Sequence, residues 1–88
     1  MSRVNYLTVE QNYALEVACA PLEAAGLSVF LVGSAMERPN WRDVDLRAVD
    51  IGGELSQITN NRPLARALNA AMSAWLRERT GLPIDFQF

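Results

Sequence analysis

The sequence predicts an α+β fold. It reads as one small two-layer domain spanning residues 1–88, a mixed three-stranded sheet with helices packed mainly on one face, in the order α-β-β-α-β. Three observations carry this expectation. Two long segments place apolar residues at helical spacing between capping residues and glycines, three short segments are apolar or alternate strictly, and no repeat or low-complexity tract interrupts them. Elements with one apolar face bury it against a second layer, and helices set against a small sheet are the solution this order allows.

Thr8-Val9-Glu10-Gln11 has the spacing of a capping box, with Thr8 as N-cap and Gln11 reaching back. Val9, Tyr13, Val17 and Ala20 then recur at helical spacing, Pro21 predicts a kink or a break, and Gly26 supplies a stop. "LSVFLV" (27–32) is short, apolar and bounded by glycines, the pattern of a strand buried on both faces. Residues 33–42 form a polar connection. "DVDLRAV" alternates, with Asp43, Asp45 and Arg47 on one face and Val44, Leu46 and Ala48 on the other. "DIGGELSQITNN" is a loop with room for one helical turn around 54–58. From Arg62 to Thr80 the pattern is helical again, capped by Asn61 or Arg62, with Pro63 in the first turn and Leu64, Leu68, Ala71 and Trp75 as its stripe. Gly81 and Pro83 end it, and "LPIDFQF" alternates as a last strand.

Composition narrows the function classes. No segment approaches the roughly 20 apolar residues of a membrane span, and "MSRVNYLTVEQ" lacks a signal-peptide apolar run, so a cytoplasmic, membrane-free protein is expected. The single cysteine, Cys19, sits in an apolar helical context and reads as core. The absence of histidine removes His-based general base catalysis and His-containing zinc sites. A net charge of −2 gives no strong nucleic-acid-binding signal. Half the residues are apolar in a domain small enough to have a shallow core, which predicts a homo-oligomer or a helical partner protein, with Met72, Leu76 and Phe88 at the rim of the contact.

The chemistry lies in "LVGSAMERPNWRDVDLRAVD" (31–50). Alternation puts Asp43 and Asp45 on one face with Cα atoms roughly 6–7 Å apart. If "PIDFQF" lies beside that strand, Asp85 joins them at cross-strand distance. Three converging carboxylates suit a hard divalent cation, Mg²⁺ or Mn²⁺, which takes oxygen ligands and keeps waters for substrate phosphates. Gly33 permits close backbone approach after the apolar strand, and Ser34 adds a hydroxyl donor.

These segments together resemble the signature of the DNA polymerase beta-like nucleotidyltransferase superfamily. That signature is an apolar strand, Gly-Ser, an insert, Asp-apolar-Asp on a second strand and a third carboxylate on a later one. The resemblance spans Leu31 to Val49 and Ile84 to Phe86. It implies a minimal nucleotidyltransferase-like domain, in which Asp43 and Asp45 hold metal, Asp85 is the third carboxylate and candidate base, and Gly33 and Ser34 bind the triphosphate of a nucleoside triphosphate. Arg38 and Arg42 are candidates to clamp phosphate. Ala35-Met36-Glu37-Arg38 stands where minimal members often carry Arg-Gly, and Glu37 brings negative charge toward the phosphates.

Each residue also has a plainer role. Asp43 and Asp45 suit a solvated strand face paired with Arg42 or Arg47, Gly33-Ser34 suits an ordinary turn, and Trp41 suits packing more than base stacking. Two function classes therefore stand: a metal-dependent transferase moving a nucleoside monophosphate from an NTP to an acceptor, and a catalytically inactive nucleotidyltransferase fold acting as a binding or antitoxin-like module.

Overall fold

The computed structural model describes residues 5–88. Residues 1–4, where the N-terminal stretch expected to lack a signal peptide begins, lie outside the described residues. The capping box forms as its spacing requires: Gln11 N–H donates to Thr8 Oγ1 at 3.1 Å and Thr8 N–H to Gln11 Oε1 at 2.8 Å. It opens α1 (Val9–Ala24), which continues through Pro21 without the expected break. The carbonyl that Pro21 leaves without its helical donor belongs to Val17, whose residue is exposed to water. Strand β1 (Leu27–Val32) follows, and the polar connection then holds a short helix, α2 (Ser34–Glu37). After β2 (Val44–Asp50), a helical turn α3 (Ser56–Thr59) precedes α4 (Arg62–Thr80), and β3 (Ile84–Gln87) closes the described chain. Asn61 is the N-cap of α4, its Oδ1 accepting from Leu64 N–H at 3.3 Å, and Gly81 ends the helix in the left-handed region at φ 70°.

The sheet order is β1-β2-β3. Strands β1 and β2 pair antiparallel, while β2 and β3 pair parallel, as the long crossover through α4 permits. This is the mixed three-stranded sheet with helices on one side that the pattern predicts. Leu27, Val29 and Leu31, Val44, Leu46 and Ala48, and Ile84 and Phe86 all turn to the helices and are buried.

The alternate residues face away from the helices, and here β1 departs from expectation. It is buried on one face only: Phe30 and Val32 remain 52% and 41% exposed on the open side. The stripes of both long helices are also shifted. In α1 the residues Val9, Tyr13 and Val17 are exposed, and the buried face is Asn12, Leu15, Ala18, Cys19 and Leu22. In α4, Leu64 is exposed and Ala71 faces solvent, whereas Ser73 and Leu76 are buried. Leu76 is therefore core and cannot rim an apolar contact; Met72 and Phe88 are half-buried against the same core. Cys19 lies fully inside, where burial first and the Glu23 carboxylate second push its thiol up to about 11, consistent with packing and not with a nucleophile.

The outer edge of β3 is finished by α4. Phe86 N–H donates to Ser73 Oγ at 2.8 Å, Phe88 N–H donates to Asn69 Oδ1 at 3.0 Å, and Arg77 Nε–H donates to the Ile84 carbonyl at 2.7 Å. Helix side chains thus replace the neighbour strand that an edge lacks. Ser73→Ala leaves the Phe86 amide buried without an acceptor, at an expected cost of about 1–3 kcal/mol. The measurement is a thermal melt, and an unchanged midpoint would mean that water reaches this edge.

Candidate functional site

The site grows from the end of β1. Gly33 has φ 76° and ψ −153°, a conformation open to glycine, and from it the chain turns into α2. Met36 N–H donates to the Gly33 carbonyl at 3.0 Å and Arg38 N–H to the Ser34 carbonyl at 2.9 Å, which fixes the turn. Tyr6 N–H donates to the Ala35 carbonyl at 2.8 Å, and Trp41 Nε1–H donates to the Tyr6 carbonyl at 3.2 Å. Trp41 is half-buried against the core, so packing is its role.

The next strand brings the carboxylates to this turn. The β1–β2 register sets Asp45 opposite Val32, and the β2–β3 register sets Asp45 opposite Asp85. Asp45 points to the open face and sits directly over Gly33: a Cβ at that glycine would collide with Asp45 Oδ2 and lie 3.1 Å from its Cγ. Asp43 stands just ahead of β2. Burial is the largest cause raising the Asp45 pKa above its ordinary value, followed by the carboxylates of Asp85 and Asp43. No ion pair within 4.0 Å ties these aspartates to an arginine among the described residues. The plainer reading, salt bridges to Arg42 or Arg47, has no support here.

A cleft of about 580 Å³ opens over this constellation. Gly33, Ser34, Arg38, Arg42, Asp43 and Asp45 all line it, together with Glu37 and Asn40. Six of the seven candidate residues are thus gathered. Asn40 had no motif to mark it; its only signal is its place in the insert. Asp85 lies outside this cleft, in an adjoining depression of about 180 Å³ that it shares with Asp45, Arg47 and Gln87. Among the described residues, no three Cys, Asp or Glu side chains stand close enough to hold one ion as they are placed. Asp45 is the hinge of the arrangement, contacting the cleft on one side and facing Asp85 on the other. The donor set is all oxygen and anionic, which fits a hard divalent cation in chemistry.

No helix among the described residues is long and apolar enough to cross a membrane. Comparisons with protein-family models, curated proteins and solved structures find no match for the chain.

Proposed function

We propose that the protein is a minimal nucleotidyltransferase-like domain that moves a nucleoside monophosphate from an NTP to an acceptor. One observation carries the reading: a glycine-serine turn closes directly against Asp45, in one cleft with Asp43 and with Asp85 in register on the next strand. In this reading Gly33 lets the phosphates approach the backbone, and Ser34 donates its hydroxyl to a phosphate oxygen. Arg38 and Arg42 line the same cleft and supply guanidinium forks for phosphate. Asp43, Asp45 and Asp85 are the residues that would hold Mg²⁺ or Mn²⁺, which supplies charge neutralisation to a polyphosphate. The acceptor oxygen or nitrogen bonds to the α-phosphorus, the bond to the bridging oxygen breaks, pyrophosphate leaves, and the acceptor proton passes to Asp85.

A helical partner or a second copy would cover the open sheet face, where Phe30, Val32 and Val49 are exposed. One observation favours the alternative, a catalytically inactive binding or antitoxin-like module: Glu37 lines the cleft beside Ser34 and Arg38, where it opposes phosphate. Calorimetry with a non-hydrolysable NTP and Mg²⁺ tests the transferase reading. Wild type is expected to bind, with Ser34→Ala and Asp43→Asn weakened at least about tenfold, on the order of one charge-assisted hydrogen bond. No binding by wild type overturns the transferase reading and leaves the module, and binding with no transfer from a hydrolysable NTP to any acceptor also selects the module.

A further inference from the structure

A second groove, about 340 Å³, runs between α4 and β3 and is lined by Arg66, Asn69, Ala70, Ser73, Arg77, Asp85, Phe86 and Gln87. A small depression lies between it and the cleft. Asp85 and Gln87 border both this groove and the small depression, and that depression reaches Asp45. The charge of the chain is also segregated. Four arginines against one glutamate give α4 a net +3, which leaves −5 on the remainder of a chain totalling −2. Total charge therefore conceals a basic helix.

The orientation of α4 against β3 sets the order along the groove. Arg77 is level with Ile84, Ser73 with Phe86 and Asn69 with Phe88, so Arg66 stands beyond the far end of the strand. Asp85 lies near the Arg77 end. Eleven residues separate the two arginines, about 16 Å along a helix axis. That is too far for one phosphate to meet both. Arg77 spends its Nε–H on the Ile84 carbonyl and keeps its two terminal nitrogens for another acceptor. The Arg66 side chain makes no hydrogen bond or ion pair among the described residues.

From this arrangement we infer that the α4–β3 groove binds a single-stranded nucleic acid, with backbone phosphates on Arg66 and Arg77 and a terminal hydroxyl beside Asp85. The inference rests on the transferase reading for the role of that hydroxyl, and it names the acceptor class. Two guanidinium groups in line at this separation suit non-adjacent phosphodiesters of one extended strand, each of which accepts a bidentate pair. A carboxylate at the end of the groove suits a hydroxyl donor and repels a further anion.

The probe is a fluorescein-labelled RNA hexamer, followed by anisotropy against salt on the full chain. Two phosphate contacts predict a log–log salt slope of about −1.4, a loss of roughly sevenfold in affinity between 50 and 200 mM salt. Arg66→Ala is expected to reduce the slope to about −0.7, and Arg66→Glu to weaken binding further. Arg79→Glu is the control, because Arg79 lies over the Trp75 ring, 4.4 Å from its centroid, and does not line the groove. Equal binding by wild type and Arg66→Glu overturns the inference. So does a mononucleotide or a hexaglutamate peptide that competes as well as unlabelled hexamer, since either occupant removes the strand. The NTP–Mg²⁺ calorimetry with Arg66→Glu is measured separately. Its retention alongside lost hexamer binding supports the groove; its absence in wild type alongside Arg66-dependent hexamer binding removes the transferase reading and leaves the groove.

Discussion

Gly33→Ala is expected to destabilise the protein by about 3 kcal/mol, lowering the melting temperature by roughly 12–24 °C. Two separate causes add. The backbone at φ 76° and ψ −153° lies in a region essentially reserved to glycine, where a side chain costs on the order of 1–3 kcal/mol. The new Cβ also collides with Asp45 Oδ2, with Asp45 Cγ at 3.1 Å and Cβ at 3.2 Å behind it. The two causes separate experimentally. Adding Asp45→Ala removes the colliding carboxylate, so the double variant is expected to recover part of the loss while the backbone strain remains. Gly53→Ala supplies the reference for strain without collision, because its φ is 70° and nothing lies within 4 Å of the added atom. Melts in which Gly33→Ala and Gly53→Ala fall equally would show that the Asp45 carboxylate moves aside freely and that the turn does not fix it.

The elements that the sequence reveals are those decided locally. The Thr8–Gln11 box, the Asn61 cap and the Gly81 stop each depend on residues within one turn, and each forms where its spacing puts it. The β2 and β3 strands alternate between apolar and polar residues, so their buried faces follow directly, and Asp45 and Asp85 emerge on the same side. What fails is the choice between two apolar faces. Helix α1 offers Val9, Tyr13 and Val17 on one stripe and Leu15, Ala18, Cys19 and Leu22 on another, and both satisfy the helical period. The position of the sheet and α4 decides which is buried, and that is not local information. Strand β1 is ambiguous for the same reason. An all-apolar strand is compatible with one covered face or two, and here the absence of a second helical layer among the described residues leaves Phe30 and Val32 exposed. The groove beside β3 is less legible still. Its residues belong to a helix and a strand whose register is set by side-chain bonds from Asn69, Ser73 and Arg77, which no periodicity encodes.

Millimolar Mg²⁺ or Mn²⁺ with nucleotide is expected to raise the wild-type melting temperature, and Asp45→Asn is expected to abolish that rise. A ligand that binds only the folded state adds about 1.4 kcal/mol at ten times its dissociation constant, worth roughly 6–11 °C in a domain of this size. The apo protein supplies the complementary test. Burial, Asp85 and Asp43 raise the Asp45 pKa in the fold, so the folded state holds this proton more tightly than the unfolded chain does. The stabilising effect of that proton is fully present below the unfolded pKa and is lost as pH rises through the folded one. At neutral pH, ionised Asp45 therefore opposes folding. Asparagine in its place keeps the shape, removes the charge and flattens this part of the pH profile, so apo Asp45→Asn should melt at or above wild type at pH 7 and gain less than wild type on acidification. A surface salt bridge at Asp45 would reverse the sign at neutral pH, making the variant neutral or weaker by at most about 1 kcal/mol. The metal response and the pH response fail independently. A wild-type melt indifferent to both cations and to nucleotide removes the metal site, while an apo Asp45→Asn that melts below wild type at pH 7 removes the clustering of like charge from which the metal site is argued.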